Sequence, residues 1–310
     1  MKVVTMGEAI VEIMRDRVDS PLSKEGYFRG PFPSGAPAIF IDAVARLGIP
    51  AAMISGVGND DFGKVITDRL REDGVDTDRI IVDDMVSTGC AFVSYDSSGD
   101  RRFIFHIGNT PAVEGQIPKD DFFEDISYFH IMGCSVMAES AFGKRIIGAM
   151  EKAAEKGAKI SFDPNIRPEL MKDPDVNDRI ESIMRRTNLF LPGKSEILEF
   201  SGKEDMDSAV SYYFDNYENM EMIVVKNGSR GSVCYTRDGR WEQGIYEVES
   251  VDPTGAGDTF DGTFIVSLLR GEKIQDALKY ASAAAAINTA NFGPMEGKVT
   301  WDKINELIGR

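Results

Sequence analysis

Apolar positions along the chain follow two patterns that alternate with each other. Short continuous apolar runs predict buried β-strands, and stretches with an apolar residue every three or four positions predict helices. The predicted strands cover residues 2–6, 51–55, 128–132, 159–163, 188–191 and 222–226. The predicted helices cover about 38–48, 60–72, 141–156, 258–269 and 274–290. This alternation is typical of an α/β fold in which helices cover both faces of a mostly parallel sheet.

The stretch between Thr88 and Ile107 interrupts this alternation. Residues 90–95 and 101–106 predict two strands joined across 97–100, which is a hairpin pattern. Together with residues after Ile10, the hairpin is expected to form a small sheet that acts as a lid over the carboxyl ends of the main strands. We expect the lid to comprise about 11–33 and 86–110.

We expect the whole chain, residues 1–310, to form one domain, because no linker rich in Gly, Ser or Pro divides it. Residues 232–236 predict a further strand that pairs antiparallel near the edge of the main sheet.

Charge and composition exclude several classes of protein. A net charge of −16 argues against a nucleic-acid partner, which needs clustered Lys and Arg. The three cysteines lie far apart and are expected to be reduced, and the two histidines have no neighbour at zinc-ligand spacing. Glu8 stands where a signal peptide would need apolar residues, and no window approaches a membrane span. These features indicate a cytoplasmic protein with no membrane partner.

The segment Gly255-Ala256-Gly257-Asp258 directly precedes a predicted helix. Small residues let the backbone approach a ligand closely, and the free amides of a first helical turn attract an anion. A carboxylate beside an anion site is the arrangement that phosphoryl transfer needs, with Asp258 as the base. The alternative for Asp258 is a simple helix cap.

A second glycine-rich turn, residues 226–231, follows the predicted strand 222–226 and could hold nucleotide phosphates or be an ordinary hairpin loop. No P-loop motif is present, and Gly56-Val57-Gly58-Asn59-Asp60-Asp61 lacks the third glycine of a dinucleotide fingerprint. A P-loop enzyme and a nicotinamide dehydrogenase are therefore not expected.

Two ordered motifs resemble one known family. Residues 252–258 resemble the C-terminal signature of the ribokinase-like (PfkB) carbohydrate kinases, and Ser34-Gly35-Ala36-Pro37-Ala38 resembles their N-terminal signature. The similarity extends over nearly the whole chain. It implies a three-layer ribokinase-like fold with a small β-sheet lid, and an ATP-dependent kinase that uses Mg²⁺ and K⁺.

The resemblance also implies roles for particular residues. Asp258 would deprotonate the acceptor hydroxyl, the amides of Gly255, Ala256 and Gly257 would form an anion hole, and Arg167 would reach the phosphoryl group or the substrate. Glu196 would support magnesium indirectly, although Gly193 stands where the family has its companion Asn. The implied ATP contacts are Glu196, Lys226, Gly228, Ser229, Gly231, Gly257, Ser282 and Ala286. Carbonyls near Asp252, Thr254, Asn288, Asn291 and Gly293 would bind potassium.

The substrate is narrowed by two departures from the family pattern. Glu12 stands where ribokinase-type and adenosine-type enzymes place an Asp, and Ile39 replaces an Asn that contacts ribose. Both changes disfavour ribose and nucleosides. The resemblance is nearest to bacterial ketohexose (tagatose or fructose) kinases, and the implied substrate contacts are Glu12, Ser34, Gly35, Ala36, Ala38, Arg102, His106 and Asp258.

Three alternatives stay open. A 2-keto-3-deoxygluconate kinase would use a cationic clamp, for which Arg102 and Arg167 are the candidates. A catalytically inactive sugar- or nucleotide-sensing protein could share the fold, and a kinase of nucleosides or vitamin precursors is a further alternative. Phe103 and Phe105 alternate with their neighbours on the lid hairpin, so one face would pack over the substrate or against a partner lid. Core packing is the other interpretation for both residues. A homodimer through the lid is therefore expected as a hypothesis.

Overall fold

The structure is a computed structural model that describes residues 1–97, 101–171 and 173–309. Its strands are β1 (Lys2–Met6), β2 (Ile10–Arg15), β3 (Phe28–Ser34), β4 (Ala51–Gly58), β5 (Val75–Asp83), β6 (Cys90–Tyr95), β7 (Arg101–His106), β8 (Ile126–Met132), β9 (Lys159–Asp163), β10 (Thr187–Phe190), β11 (Met222–Lys226), β12 (Ser232–Thr236) and β13 (Gly239–Gln243). Its helices are α1 (Ala36–Arg46), α2 (Asp61–Glu72), α3 (Gly133–Ala138), α4 (Ser140–Glu155), α5 (Val176–Met184), α6 (Lys194–Ser201), α7 (Met206–Asn216), α8 (Ala256–Leu269), α9 (Ile274–Thr289) and α10 (Trp301–Ile308).

A large central sheet holds the strands in the order β13-β12-β11-β10-β9-β8-β1-β4-β5. All neighbouring strands from β11 to β5 are parallel, and β12 and β13 join antiparallel at one edge. The sequence prediction of a mostly parallel sheet with an antiparallel strand near its edge is therefore confirmed. Because consecutive residues of a strand point to opposite faces, Val3 and Val4 belong to different hydrophobic clusters.

Each face of this sheet is covered by its own group of helices. One cluster contains Phe142 of α4 and Tyr213 of α7, and the other contains Phe40 of α1 and Phe264 of α8. The result is three layers with the sheet in the middle, as the sequence predicted.

A second sheet, here called the lid sheet, has the strand order β3-β2-β6-β7. Strands β2 and β6 are parallel, while β3 and β7 pair antiparallel with them. The predicted small sheet is thus confirmed, whereas residues 98–100 of the predicted hairpin turn lie outside the described residues. The proposed boundaries of the lid and the single-domain organisation stay predictions.

Several elements were not expected from the apolar pattern. These are β5, β13, α3, α5, α6, α7 and α10. Strand β5 lies at the edge of the sheet and alternates buried with exposed residues, so charged side chains interrupt its apolar run. A search for continuous apolar runs detects central strands better than such edge strands.

Helix α8 is the element that carries the glycine-rich segment into the molecule. Every residue from Asp258 to Ser267 is buried, so the helix has no solvent-facing side over this length. Among the described residues, no helix is both long enough and apolar enough to cross a membrane.

Candidate active site

The turn that begins α8 places Asp258 inside the molecule. Gly255 occupies the N-cap position with φ of +75°, a conformation that favours glycine. No side chain caps this helix end, so the cap interpretation of Asp258 does not describe the structure. The carboxylate of Asp258 accepts instead a hydrogen bond from Asn165 Nδ2 at 3.2 Å.

Two cavities meet at this turn. The larger one has a volume of about 680 Å³ and is lined by Ala256 and Gly257. It is here called the nucleotide-side cavity, after the ligand that the family resemblance implies for it. The smaller one is lined by Gly255 and Asp258, and it is here called the sugar-side pocket for the same reason. The backbone of the turn therefore separates two binding spaces, and the carboxylate lies on the sugar side.

The electrostatic environment prepares Asp258 to take a proton near neutral pH. Burial, reinforced by the negative charge of Asp163, raises the pKa of Asp258 to about 7. Lys226 and Arg167 oppose this shift. A base whose pKa lies near the working pH is well suited to accept and release a proton.

Glu12 closes the other side of the sugar-side pocket. Ser34 donates a hydrogen bond from Oγ to Glu12 Oε1 at 2.9 Å, while Oε2 is buried without a partner among the described residues. Burial raises the pKa of Glu12 to about 7. An unpartnered buried acceptor is costly, so Oε2 is available to accept a hydrogen bond from a ligand hydroxyl.

Of the other predicted substrate contacts, Gly35 and Ala36 line the sugar-side pocket and Ser34 and Ala38 do not. Ser34 acts through Glu12, as its hydrogen bond shows. Ala38 is fully buried in α1, where it packs in the hydrophobic core.

Arg102 and His106 do not reach the pocket, which corrects the expectation for these two residues. Their side chains are exposed on the outer face of β7, and the pocket is lined by Arg101, Phe103 and Phe105. Alternate residues of a strand point to opposite faces, so a one-residue difference decides which arginine enters the site. Phe103 and Phe105 line the pocket and also pack against the hydrophobic cluster that contains Phe142.

Glu8 also lines the pocket, although it was not predicted as a site residue. Its carboxylate accepts hydrogen bonds from Ser135 Oγ and, at 3.2 Å, from Cys134 Sγ. Burial raises the pKa of Glu8. A single acidic residue after a strand has no distinctive spacing, so only the fold shows that it reaches the site.

The loop after β9 supplies the other side of the pocket with Asn165 and Arg167. Asn165 has φ of +42°, and its amide nitrogen contacts both Asp163 Oδ2 at 3.4 Å and Asp258 Oδ1. Asn adopts this left-handed conformation more readily than most residues. Arg167 makes no ion pair within the described part of the chain, so its charge is available to a ligand.

The nucleotide-side cavity contains most of the residues implied for ATP. The predicted residues that line it are Lys226, Gly228, Ser229, Gly231, Gly257, Ser282 and Ala286. The segment from Ile245 to Ser250, except Glu249, and Phe260 line it as well and were not predicted. That segment has no regular secondary structure, so no periodicity marks it in the sequence.

Glu196 does not line the nucleotide-side cavity and instead holds the loop after β9. Its Oε1 accepts from the Ile166 amide at 2.9 Å and its Oε2 from the Gly193 amide at 2.6 Å. Burial raises the pKa of Glu196. Among the described residues, no group of three or more His, Cys, Asp or Glu side chains could hold a metal ion.

The residues implied for potassium come together at the end of α9. Asp252 Oδ2 accepts from the Gly293 amide at 2.9 Å, and Asn288 Nδ2 donates to the Thr254 carbonyl at 2.7 Å. From the lid sheet, Tyr95 donates its hydroxyl to Asp252 Oδ1 at 2.7 Å. This contact between the lid sheet and the turn before α8 was not predicted.

Replacing Gly255 tests how tightly this turn is packed. A Cβ at Gly255 would lie 2.6 Å from the Pro294 carbonyl oxygen, whereas Gly271 has a similar φ of +81° and open space around it. We expect Gly255→Ala to lower the free energy of unfolding by about 1–3 kcal/mol more than Gly271→Ala, because only Gly255→Ala adds a steric clash to the backbone strain. Urea unfolding of both variants measures this, and equal losses would contradict the tight turn.

Comparisons with known proteins agree with this geometry. Residues 2–301 match the family described as "pfkB family carbohydrate kinase". The chain is 28% identical to "Fructokinase-2" of Oryza sativa subsp. japonica over 99% of this chain and 94% of that protein. It is 30% identical to "Probable fructokinase-2" of Arabidopsis thaliana over 94% of this chain and 91% of that protein.

A solved structure extends the comparison to three dimensions. An E. coli protein provisionally named Ribokinase II, in complex with ATP and Mg²⁺, superimposes with a TM-score of 0.91 at 38% identity over 100% of this chain and 99% of that one. The sequence match, the strand order and the arrangement of the turn before α8 lead to one assignment. The chain belongs to the pfkB family of carbohydrate kinases.

Proposed function

We propose that the protein transfers the γ-phosphoryl group of ATP to a hydroxymethyl group of a ketohexose such as fructose or tagatose. The observation that carries this proposal is the position of the Asp258 carboxylate at the turn between the nucleotide-side cavity and the sugar-side pocket. Both of the relatives described above are named as a fructokinase or a probable fructokinase. This supports a ketohexose as the acceptor. An intact, buried base also speaks against an inactive sensing protein.

In the proposed reaction, Asp258 takes the proton of the acceptor hydroxyl while the hydroxyl oxygen attacks the γ-phosphorus. Asn165 orients the carboxylate through its hydrogen bond to Oδ1. The amides of the turn, including Ala256 and Gly257, stabilise the negative charge on the phosphoryl oxygens. Arg167 lies on the sugar side of the turn and adds positive charge there.

Magnesium is the divalent ion that the proposal requires, and the donor set fits an indirect site. Mg²⁺ bound to a nucleotide keeps several waters and takes its other ligands largely from the phosphates. Glu196 already accepts two backbone amides, which leaves it able to accept a hydrogen bond from a metal-bound water. Bound magnesium would supply charge neutralisation on the triphosphate.

Potassium is proposed as an activating ion at the turn before α8. The residues there offer main-chain carbonyls and the carboxylate of Asp252, which are the oxygen donors that such a cation prefers. The residues that would hold it are Asp252, Thr254, Asn288, Asn291 and Gly293. Bound potassium would stabilise the turn that supplies the anion hole.

The keto-acid alternative gains support from one feature of the pocket. Arg101 and Arg167 both line it, so two cations could bind a substrate carboxylate. The pocket also contains the carboxylates of Glu8, Glu12 and Asp258, which would repel such a group. The excess of acidic groups favours a neutral sugar, and 2-keto-3-deoxygluconate is the second candidate.

Replacing the proposed base tests the mechanism. Asp258→Asn should lower kcat by about a hundred- to ten-thousand-fold and leave ATP binding unchanged within a few-fold, since a positioned base contributes about that much. A coupled ADP-release assay and calorimetric ATP titration measure the two quantities. Asp238→Asn, at an exposed position outside both cavities, is the control. Turnover near that of the parent protein in Asp258→Asn would refute the assignment.

The raised pKa of Asp258 sets the expected pH dependence. The base must be deprotonated in the free enzyme, so kcat/KM should fall as the pH decreases through about 7 and reach a plateau above it. An unperturbed aspartate would move this limb to about pH 4. A profile of kcat/KM from pH 5 to 9 distinguishes the two, provided that circular dichroism shows a folded protein throughout.

A substrate screen distinguishes the two candidates. We expect ADP release to be at least about tenfold more efficient with fructose or tagatose than with ribose or adenosine, because mismatched hydroxyls leave polar groups unpaired. Replacing Na⁺ by K⁺ should raise the rate. The keto-acid function replaces the ketohexose function if 2-keto-3-deoxygluconate is the best substrate. In that case Arg101→Met should abolish its use, and Arg102→Met should not.

The free thiols of the three cysteines support a cytoplasmic location.

The outer face of the lid sheet supports a homodimer. Ile13, Phe92 and Ile104 form a row across β2, β6 and β7, and Ile104 is 48% exposed. An exposed apolar sheet face of this kind is commonly covered by a partner.

The dimer proposal predicts about twice the monomer mass of 34.2 kDa by light scattering at micromolar concentration. Ile104→Glu should give a monomer because it places a charge in the middle of the proposed interface. Val82→Glu, at an exposed apolar position on β5, should stay dimeric. A monomeric parent protein would remove the proposal.

A further inference from the structure

An ion triad lies beneath the turn before α8. Lys226, at the end of β11, donates from Nζ to Asp163 Oδ2 and to Asp261 Oδ2, each at 2.8 Å. The side chains are 17%, 3% and 0% exposed for Lys226, Asp163 and Asp261. The two carboxylates come from the end of β9 and from the second turn of α8, so three separate elements meet at one ammonium group.

The same ammonium lies next to the anion-hole turn. Lys226 lines the nucleotide-side cavity, and its Nζ is 3.8 Å from the position that a Cβ on Gly257 would take. An ammonium has three N–H donors, and the two carboxylates account for two of them. Within the described parts of the chain, Lys226 Nζ has no other hydrogen-bond partner. The third donor is free for a ligand in the cavity.

The triad keeps this lysine charged although it is nearly buried. Burial lowers the pKa of Lys226, but Asp163 and Asp261 outweigh that effect and hold it above its ordinary value. Burial opposes ionisation of Asp163 as well, and the charge of Lys226 keeps its pKa low. Burial raises the pKa of Asp261 well above its usual range. Lys226 therefore favours its charged form, and Asp163 is the partner whose lowered pKa favours a negative charge.

Stability alone is a poor explanation for this arrangement. Removing charges from water is costly, and apolar residues of similar volume often replace buried ion pairs without loss of stability. Asp261 Oδ1 is also buried without a partner among the described residues, which adds to the cost. Costly buried charges beside a cavity are characteristic of functional sites.

We propose that Lys226 is a catalytic residue whose third N–H donates to a terminal oxygen of the γ-phosphoryl group, and that Asp163 and Asp261 are positioning residues for it. This inference rests on the proposed kinase function and assigns a role within it. During transfer, the bond from the γ-phosphorus to the bridging oxygen breaks, that oxygen leaves with ADP, and the acceptor proton passes to Asp258. Lys226 keeps its proton and neutralises charge on the group in transfer.

The contact with the γ-phosphoryl group gives a test that needs no sugar. Lys226→Gln, which keeps a polar side chain, and Lys226→Met should each weaken ATP binding at least tenfold and change ADP binding less than threefold. Calorimetric titration with each nucleotide in the presence of Mg²⁺ measures this. Lys64→Met, at an exposed position on α2, should change neither affinity. Equal losses for ATP and ADP, or none for either, would overturn the proposal.

Kinetics give the second test. With the best sugar of the screen, Lys226→Gln should lower kcat at least a hundredfold while the KM for sugar stays within threefold. Lys226 lowers the pKa of Asp258, so the acid limb of kcat/KM should move to higher pH in Lys226→Gln. Asp163 raises the pKa of Asp258, so the same limb should move to lower pH in Asp163→Asn. Asp261→Asn should lower kcat by about tenfold without changing the sugar KM.

The outcomes separate the two proposals. If the parent protein releases no ADP with any sugar, the kinase function is refuted. If Lys226→Gln then still weakens ATP binding more than ADP binding, the nucleotide contact is kept. An active parent protein whose Lys226 variants keep kcat and the pH limb would refute the role of Lys226 and keep the kinase function. Urea unfolding confirms that each variant is folded, and Lys226→Gln serves if Lys226→Met does not fold.

Discussion

Burial of the first turns of α8 is the constraint on which the site depends. This helix is enclosed from Asp258 to Ser267, so the carboxylate at its start cannot be fully hydrated. Desolvation is the largest cause of the raised pKa of Asp258. The same enclosure fixes Gly255 against the Pro294 carbonyl and so fixes the direction of the turn's amides. Base and anion site are therefore positioned by one packing arrangement.

That arrangement collects negative charge, which the protein then balances with a few cations. Glu8 and Glu12 lie on the sugar side, and Asp163 and Asp261 lie beneath the turn. Each buried carboxylate disfavours ionisation of its neighbours. Lys226 compensates beneath the turn, and the arginines of the sugar-side pocket compensate above it. In the proposed reaction, the triphosphate would meet Lys226 already held in place by Asp163 and Asp261, which costs little reorganisation.

The lid sheet contacts both the sugar-side pocket and the turn before α8. One of its faces supplies Glu12 and Phe105 to the sugar-side pocket, and Tyr95 reaches from it to Asp252 at the turn before α8. Its opposite face exposes a row of apolar side chains that includes Ile104. A change in the lid sheet therefore has a direct route, through the hydrogen bonds of the Tyr95 hydroxyl with Asp252 and Thr254, to the turn that is proposed to form the anion hole.

The sequence by itself determined the three-layer fold, the lid sheet and the segment that contains Asp258. Continuous apolar runs mark central parallel strands, and a glycine-rich turn before an apolar helix marks an anion site, so both are local patterns. Only the tertiary structure decided that Arg101 rather than Arg102 enters the pocket, because strand register selects the face on which a side chain lies. It alone also brought Asp163, Lys226 and Asp261 together, since these residues lie on three separate elements and no local spacing relates them.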